Sequence, residues 1–108
     1  MTSDTARDID SHVLTWHERT IQIDYEAHWL GVDKIGGLQV AHLQVRVTEP
    51  ERAELPITET GYRSHFVDRE AVSEAGGPVE YVRQWLDAEA RSKTWREQEA
   101  KARQLSLF

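Results

Sequence analysis

The chain contains no cysteine, which excludes a disulfide framework, a thiolate-ligated metal and a cysteine nucleophile together. Its absence fits a reducing compartment, so the sequence reads as a cytoplasmic protein. No run approaches the ~18 apolar residues that a membrane span needs. Residues 1–10 lack the apolar stretch of an export signal and read instead as a polar, disordered leader. Cations are scarce as well: 13 Lys and Arg stand against 19 Asp and Glu, a net charge of −6. Such a balance argues against a domain that coats nucleic acid by bulk charge. The deficit is uneven, because residues 91–108 carry 5 bases and 2 acids, so this end alone is expected to meet a polyanion. The pairs Gly36-Gly37 and Gly76-Gly77 are not part of a GxxxxGK[ST] loop, a GxGxxG loop or a GxSxG elbow, and no nucleotide cofactor is expected.

Against these absences stand four Trp, three Tyr and two Phe, set among periodic apolar positions that suit one folded domain over residues 11–103. Residues 13–16 and 20–30 read as a hairpin bent at His17-Glu18-Arg19. In the second strand Ile21, Ile23, Tyr25, Ala27 and Trp29 alternate with Gln22, Asp24, Glu26 and His28, sending one face to a core and the other to water. After a glycine-bearing loop, Ala41, Leu43, Val45 and Val47 alternate with His42, Gln44 and Arg46 as a third strand, which Pro50 ends. Residues 62–67 suit a short edge strand. Asp68 is placed to cap a helix that Gly76 and Gly77 close, and Pro78 opens a second in which Val79, Val82, Trp85 and Leu86 share a face. Thr94 with Glu97 makes a capping box for a last helix reaching about residue 103, polar but for Trp95, Ala100 and Ala102 and braced by Glu97–Lys101 and Glu99–Arg103 pairs. The fold class is therefore α+β: a three- to four-stranded antiparallel sheet followed by two or three helices.

The chain ends Gln104-Leu105-Ser106-Leu107-Phe108. Three large apolar side chains after a helix with almost no apolar face either dock in another protein or fold back to finish the domain's own core. This pentapeptide resembles the bacterial DNA sliding-clamp-binding peptide, commonly Gln-Leu-Ser/Asp-Leu-Phe. The resemblance implies Gln104 as the polar anchor, Leu105 in a side depression, and Leu107 with Phe108 in the main apolar pocket. The expected function is then a non-enzymatic accessory protein that rides on the clamp in replication or repair. Arg91, Lys93, Arg96, Lys101 and Arg103 lie beside the peptide, where they could lean on DNA or simply form a charged helix face.

The segment Pro56-Ile57-Thr58-Glu59-Thr60-Gly61-Tyr62-Arg63-Ser64-His65-Phe66 is the second concentration of chemistry. It resembles a segment of small bacterial proteins of uncharacterised activity that also end in a Gln-Leu-Thr/Ser-Leu-Phe tail. Glu59, Tyr62, Arg63 and His65 offer an acid, a hydroxyl, a cation and a base, enough for a small enzymatic or nuclease-like site. The same residues equally suit a fixed loop, with Gly61 in a special conformation, Thr58 and Thr60 satisfying amides, and Arg63 paired with Glu59. Ser64 and His65, neighbours on a strand, point to opposite faces and so do not form a nucleophile and base. His28 and His42, with Glu26, could approach one another across adjacent strands, but the sequence has no HExxH or HxH spacing and no metal is expected.

Overall fold

The computed structural model describes residues 8–29 and 39–105. Four strands, β1 (Ile9–Trp16), β2 (Arg19–Glu26), β3 (Val40–Glu49) and β4 (Tyr62–Asp68), precede three helices, α1 (Arg69–Ala75), α2 (Pro78–Glu89) and α3 (Lys93–Leu105). The strands form one antiparallel meander in the order β1-β2-β3-β4, the α+β arrangement that the alternating strand patterns followed by helical ones predict.

The β1–β2 hairpin closes on two residues, His17 and Glu18, at φ 46° and 65°. Both central residues of this tight turn need positive φ, which Asn and Gly adopt more cheaply. Here the His17 ring lies flat on Trp16, 3.9 Å between centroids at 9°, so ring stacking offsets backbone strain. Pairing continues back from the turn to Ile9 opposite Glu26. β1 thus begins four residues before the predicted Val13 and takes Ile9 and Asp10 out of the expected leader. That stretch, Asp10-Ser11-His12, shows no apolar alternation because β1 is an edge strand whose outer half is mostly exposed. β2, by contrast, ends at Glu26, short of the predicted residue 30.

One sheet face carries Leu14, Trp16, Ile21, Ile23, Tyr25, Ala41, Leu43, Val45 and Val47, all buried, and the helices supply Val72, Val82, Leu86 and Trp95 against it. Leu55 and Ile57 reach the same core from the β3–β4 connector, which is pinned by paired Leu55–Thr58 backbone bonds of 2.8 and 3.1 Å. Gly61 is required there. Its φ is 79°, and a Cβ on it would stand 2.7 Å from the Arg52 Cα, so the chain entering β4 presses directly on the backbone of the Pro50 turn.

The helix boundaries follow their capping chemistry. Asp68 Oδ1 accepts from the Glu70 amide at 3.3 Å, and Gly76, at φ 107°, closes α1 while its amide donates to Ser73 O. Pro78 is the first residue of α2. α3 differs from expectation: its cap is Ser92, whose Oγ accepts from the Trp95 amide at 3.1 Å, two residues before Thr94. Glu97 accordingly reaches back to Lys93 at 3.9 Å rather than forward to Lys101. Among the described residues, no helix is long and apolar enough to cross a membrane.

Candidate functional site

The period of two along β4 separates the polar residues that the sequence clusters. Arg63, His65 and Val67 stand opposite the core residues Val45, Leu43 and Ala41, so they face the helices, whereas Tyr62, Ser64 and Phe66 stand opposite Arg46, Gln44 and His42 on the open face. Glu59 is exposed in the connector and bonds to none of them. Arg63 donates to the Ile57 carbonyl at 3.0 Å and lies over the Trp85 ring at 5.5 Å, in place of the expected pairing with Glu59. His65 packs its ring against Trp85 at 4.4 Å, with Nε2 3.3 Å from the Tyr81 hydroxyl. Burial, then the nearby Arg63 and His42, hold its pKa below the usual histidine value, so His65 serves as a neutral aromatic spacer between β4 and α2. Glu59, Tyr62, Arg63 and His65 therefore do not converge on one cleft. Thr58 and Thr60 do hold the loop as expected: Thr58 Oγ1 donates to Tyr62 O at 2.8 Å and accepts from the Thr60 amide at 3.2 Å.

The open face contains a pair that sequence reasoning missed. Ser64 Oγ and His42 Nε2 are 2.6 Å apart across β3 and β4, so the partner of Ser64 lies 22 positions away rather than next door. His42 also stands opposite Glu26 of β2, and both are nearly inaccessible, at 8% and 3% exposure. The His42 ring abuts Phe66 at 4.7 Å, and Phe66 meets Trp29 edge-on at 4.8 Å. A polar seam thus runs beside an aromatic row. His28, expected on a strand, falls beyond the end of β2 and is exposed, and no group of three His, Cys, Asp or Glu among the described residues could hold a metal ion.

Where β3 ends and β4 begins, the open face runs into a cleft of about 570 Å³ walled by Arg46, Glu51, Arg52, Thr60 and Tyr62. Arg46 stacks its guanidinium over the Tyr62 ring at 5.6 Å, and Arg52 has φ 62°, costly for a residue with a Cβ. Arg52 lies in a turn closed by the Ala53 amide donating to Pro50 O at 3.0 Å, with Gly61 pressed against its backbone.

At the same end of the sheet, α3 is seated by Trp95, which tilts against Trp16 at 6.2 Å, and by Arg19. The Arg19 side chain donates to the Glu54 and His17 carbonyls at 2.7 and 2.9 Å and to Glu99 Oε2 at 3.0 Å, with its guanidinium over both tryptophan rings. Arg91, Lys93, Arg96, Lys101 and Arg103 are all exposed. Gln104 is exposed too, in the last turn of the helix, and Leu105 ends it; Ser106, Leu107 and Phe108 lie outside the described residues. Lys93, Glu97, Ala100 and Gln104 follow one another at helical spacing on the stripe turned away from Trp95.

No curated protein and no solved structure matches the chain. The sequence profile of the KlcB third domain does, over residues 9–95, from the first residue of β1 to the tryptophan that seats α3. The sheet, the open-face cleft and the whole described core fall inside that span, while the rest of α3 and the tail fall outside it. Matched over most of its length, the chain belongs to the KlcB third-domain family.

Proposed function

We propose that this domain is an accessory protein of the replication or repair machinery that docks on the bacterial DNA sliding clamp through residues 104–108. The observation that carries this reading is the exposed Gln104 at the end of a polar helix whose one described core residue is Trp95, near its start. Every described core residue lies between Leu14 and Trp95, and past Glu99 each described side chain of α3 is exposed. A helix with so little buried surface is held by its first turns alone, and its last turn frays at little cost. Fraying of that turn would release Gln104 and Leu105 into the extended form in which a short peptide enters a pocket. The bases of α3 give the arm a local positive potential beside the tail, a complement to DNA near the clamp ring.

The test is a titration of purified sliding clamp with the intact protein, with a form lacking Leu107 and Phe108, and with Gln104→Ala. Micromolar or tighter binding by the intact protein, lost on truncation and weakened by Gln104→Ala, is expected, because a few apolar anchors dominate such interfaces. Absence of binding by a folded, intact sample would defeat the proposal. So would a truncated form that loses thermal stability, since the tail would then be part of the core.

A further inference from the structure

The arginines of the folded domain are mostly engaged. Arg19 holds α3, Arg83 pairs with Glu80 at 3.2 Å, Arg63 bonds the Ile57 carbonyl, and Arg69 bonds the Ala27 carbonyl at 2.8 Å. Arg46 and Arg52 differ. Neither meets a carboxylate within ion-pair distance among the described residues, although the chain carries 19 of them. They stand instead on two walls of the same open cleft, with Glu51 as its acid, leaving the cleft net positive in a chain of net charge −6. The acids of the neighbouring sheet face are occupied or covered: Asp24 accepts from Ser11 Oγ at 2.7 Å and from Gln22, and Glu26 is buried.

The aromatic rings tell the same way. Tyr62 and Phe66 are 41% and 53% exposed on one face of β4. Four residues apart on a strand, they are separated by about 13 Å, and Phe66 is extended by Trp29. Rings that serve a core are covered, as Trp16 and Trp95 are here; rings left in a row beside unpaired guanidinium groups offer stacking faces to flat groups linked by anions.

We propose that the open sheet face binds single-stranded nucleic acid, with a backbone phosphate held between Arg46 and Arg52 and unstacked bases resting on Phe66 and Trp29. The guanidinium fork suits phosphate oxygens, and a cleft of about 570 Å³ is of the size that takes one nucleotide. Duplex DNA keeps its bases stacked inside and has no use for the aromatic row. The surface lies within the residues that the family profile matches and is separate from the tail, so it stands whether or not the chain docks on the clamp.

The experiment is fluorescence anisotropy of the full chain with labelled ten-nucleotide dT and U strands and a duplex of equal length, over a range of salt, with thymidine monophosphate as competitor. Arg46→Ala combined with Arg52→Gly, which removes the second cation while suiting its positive φ, should weaken binding tenfold or more and reduce the salt slope by about 0.7, the share of the one phosphate they hold on a single strand. Phe66→Ala should weaken binding about fivefold or more with the slope unchanged, and Lys101→Glu with Arg103→Glu should weaken it less than the loss of Arg46 and Arg52 does. A preference for the DNA or the RNA strand, with this pattern of losses, supports the proposal and identifies the source. Failure of the folded protein to bind either strand at low salt overturns it. Duplex bound as tightly as single strand, the monophosphate competing as well as the strand, or losses confined to the α3 variant would each overturn it too.

Discussion

The two faces of the sheet are written in the same alternating code and turn out differently. The covered face is almost continuously apolar from β1 to β3, and it changes character at β4, where Arg63 and His65 meet Tyr81 and Trp85. The open face is polar at its centre and aromatic at the β4 margin, with Ser64 and His42 bonded to each other and Tyr62 and Phe66 exposed. Burial on one face is bought with shape, and on the other with hydrogen bonds, so the same period of two yields a core on one side and a surface with chemistry on the other.

Neighbouring residues of β3 sharpen that contrast most. Leu43→Ala, at a position with no exposure, should cost about 2–5 kcal/mol in urea unfolding through lost burial and the cavity left behind. Gln44→Ala, one residue on and facing the other way, should stay within about 0.5 kcal/mol. Equal effects would mean that the open face is packed as tightly as the core. At the corner where the faces meet, Gly61→Ala should cost about 1–3 kcal/mol, since a Cβ meets the Arg52 backbone and the residue must keep positive φ. If the cleft depends on that contact, the same variant should also weaken oligonucleotide binding.

The smallest effect concerns His65 on the covered face. Because burial lowers the His65 pKa in the fold, the unfolded chain binds the proton more readily between that lowered value and about 6.5. The histidine's contribution is complete above that window and declines as pH falls through it. His65→Leu should therefore flatten the acid side of the stability profile, seen as a smaller shift of the urea midpoint between pH 7.5 and 5. A variant that loses stability as steeply as the parent would assign the acid sensitivity to another group.

Much of the fold was legible because its signals are local. Alternation marked β2 and β3, and Asp68, Gly76, Gly77 and Pro78 punctuated the helices where the structure has them. β1 was half hidden, since an exposed edge strand has no reason to alternate. The site was far less legible. Ser64 and His42, Trp16 and Asp87 (Nε1 to Oδ1, 2.8 Å), and Arg19 and Glu99 are 22, 71 and 80 positions apart, and such meetings depend on strand register and helix docking, which residue spacing does not encode. Glu59, Tyr62, Arg63 and His65, close in sequence, were parted by the strand that carries them, while Arg46 and Arg52 were joined by a turn whose geometry rests on one glycine.

The way α3 is attached has a mechanical side. Tension applied at Leu105 would run down a helix with no lateral support from the core and be carried by Trp95 and the fan of bonds from Arg19, which tie it to the β1–β2 turn. The six residues past Glu99 make a rod of about 9 Å at 1.5 Å per residue. Its length would fix how near the sheet could stand to a partner that gripped the tail as proposed, and each residue added or removed would swing that grip about 100° around the rod's axis.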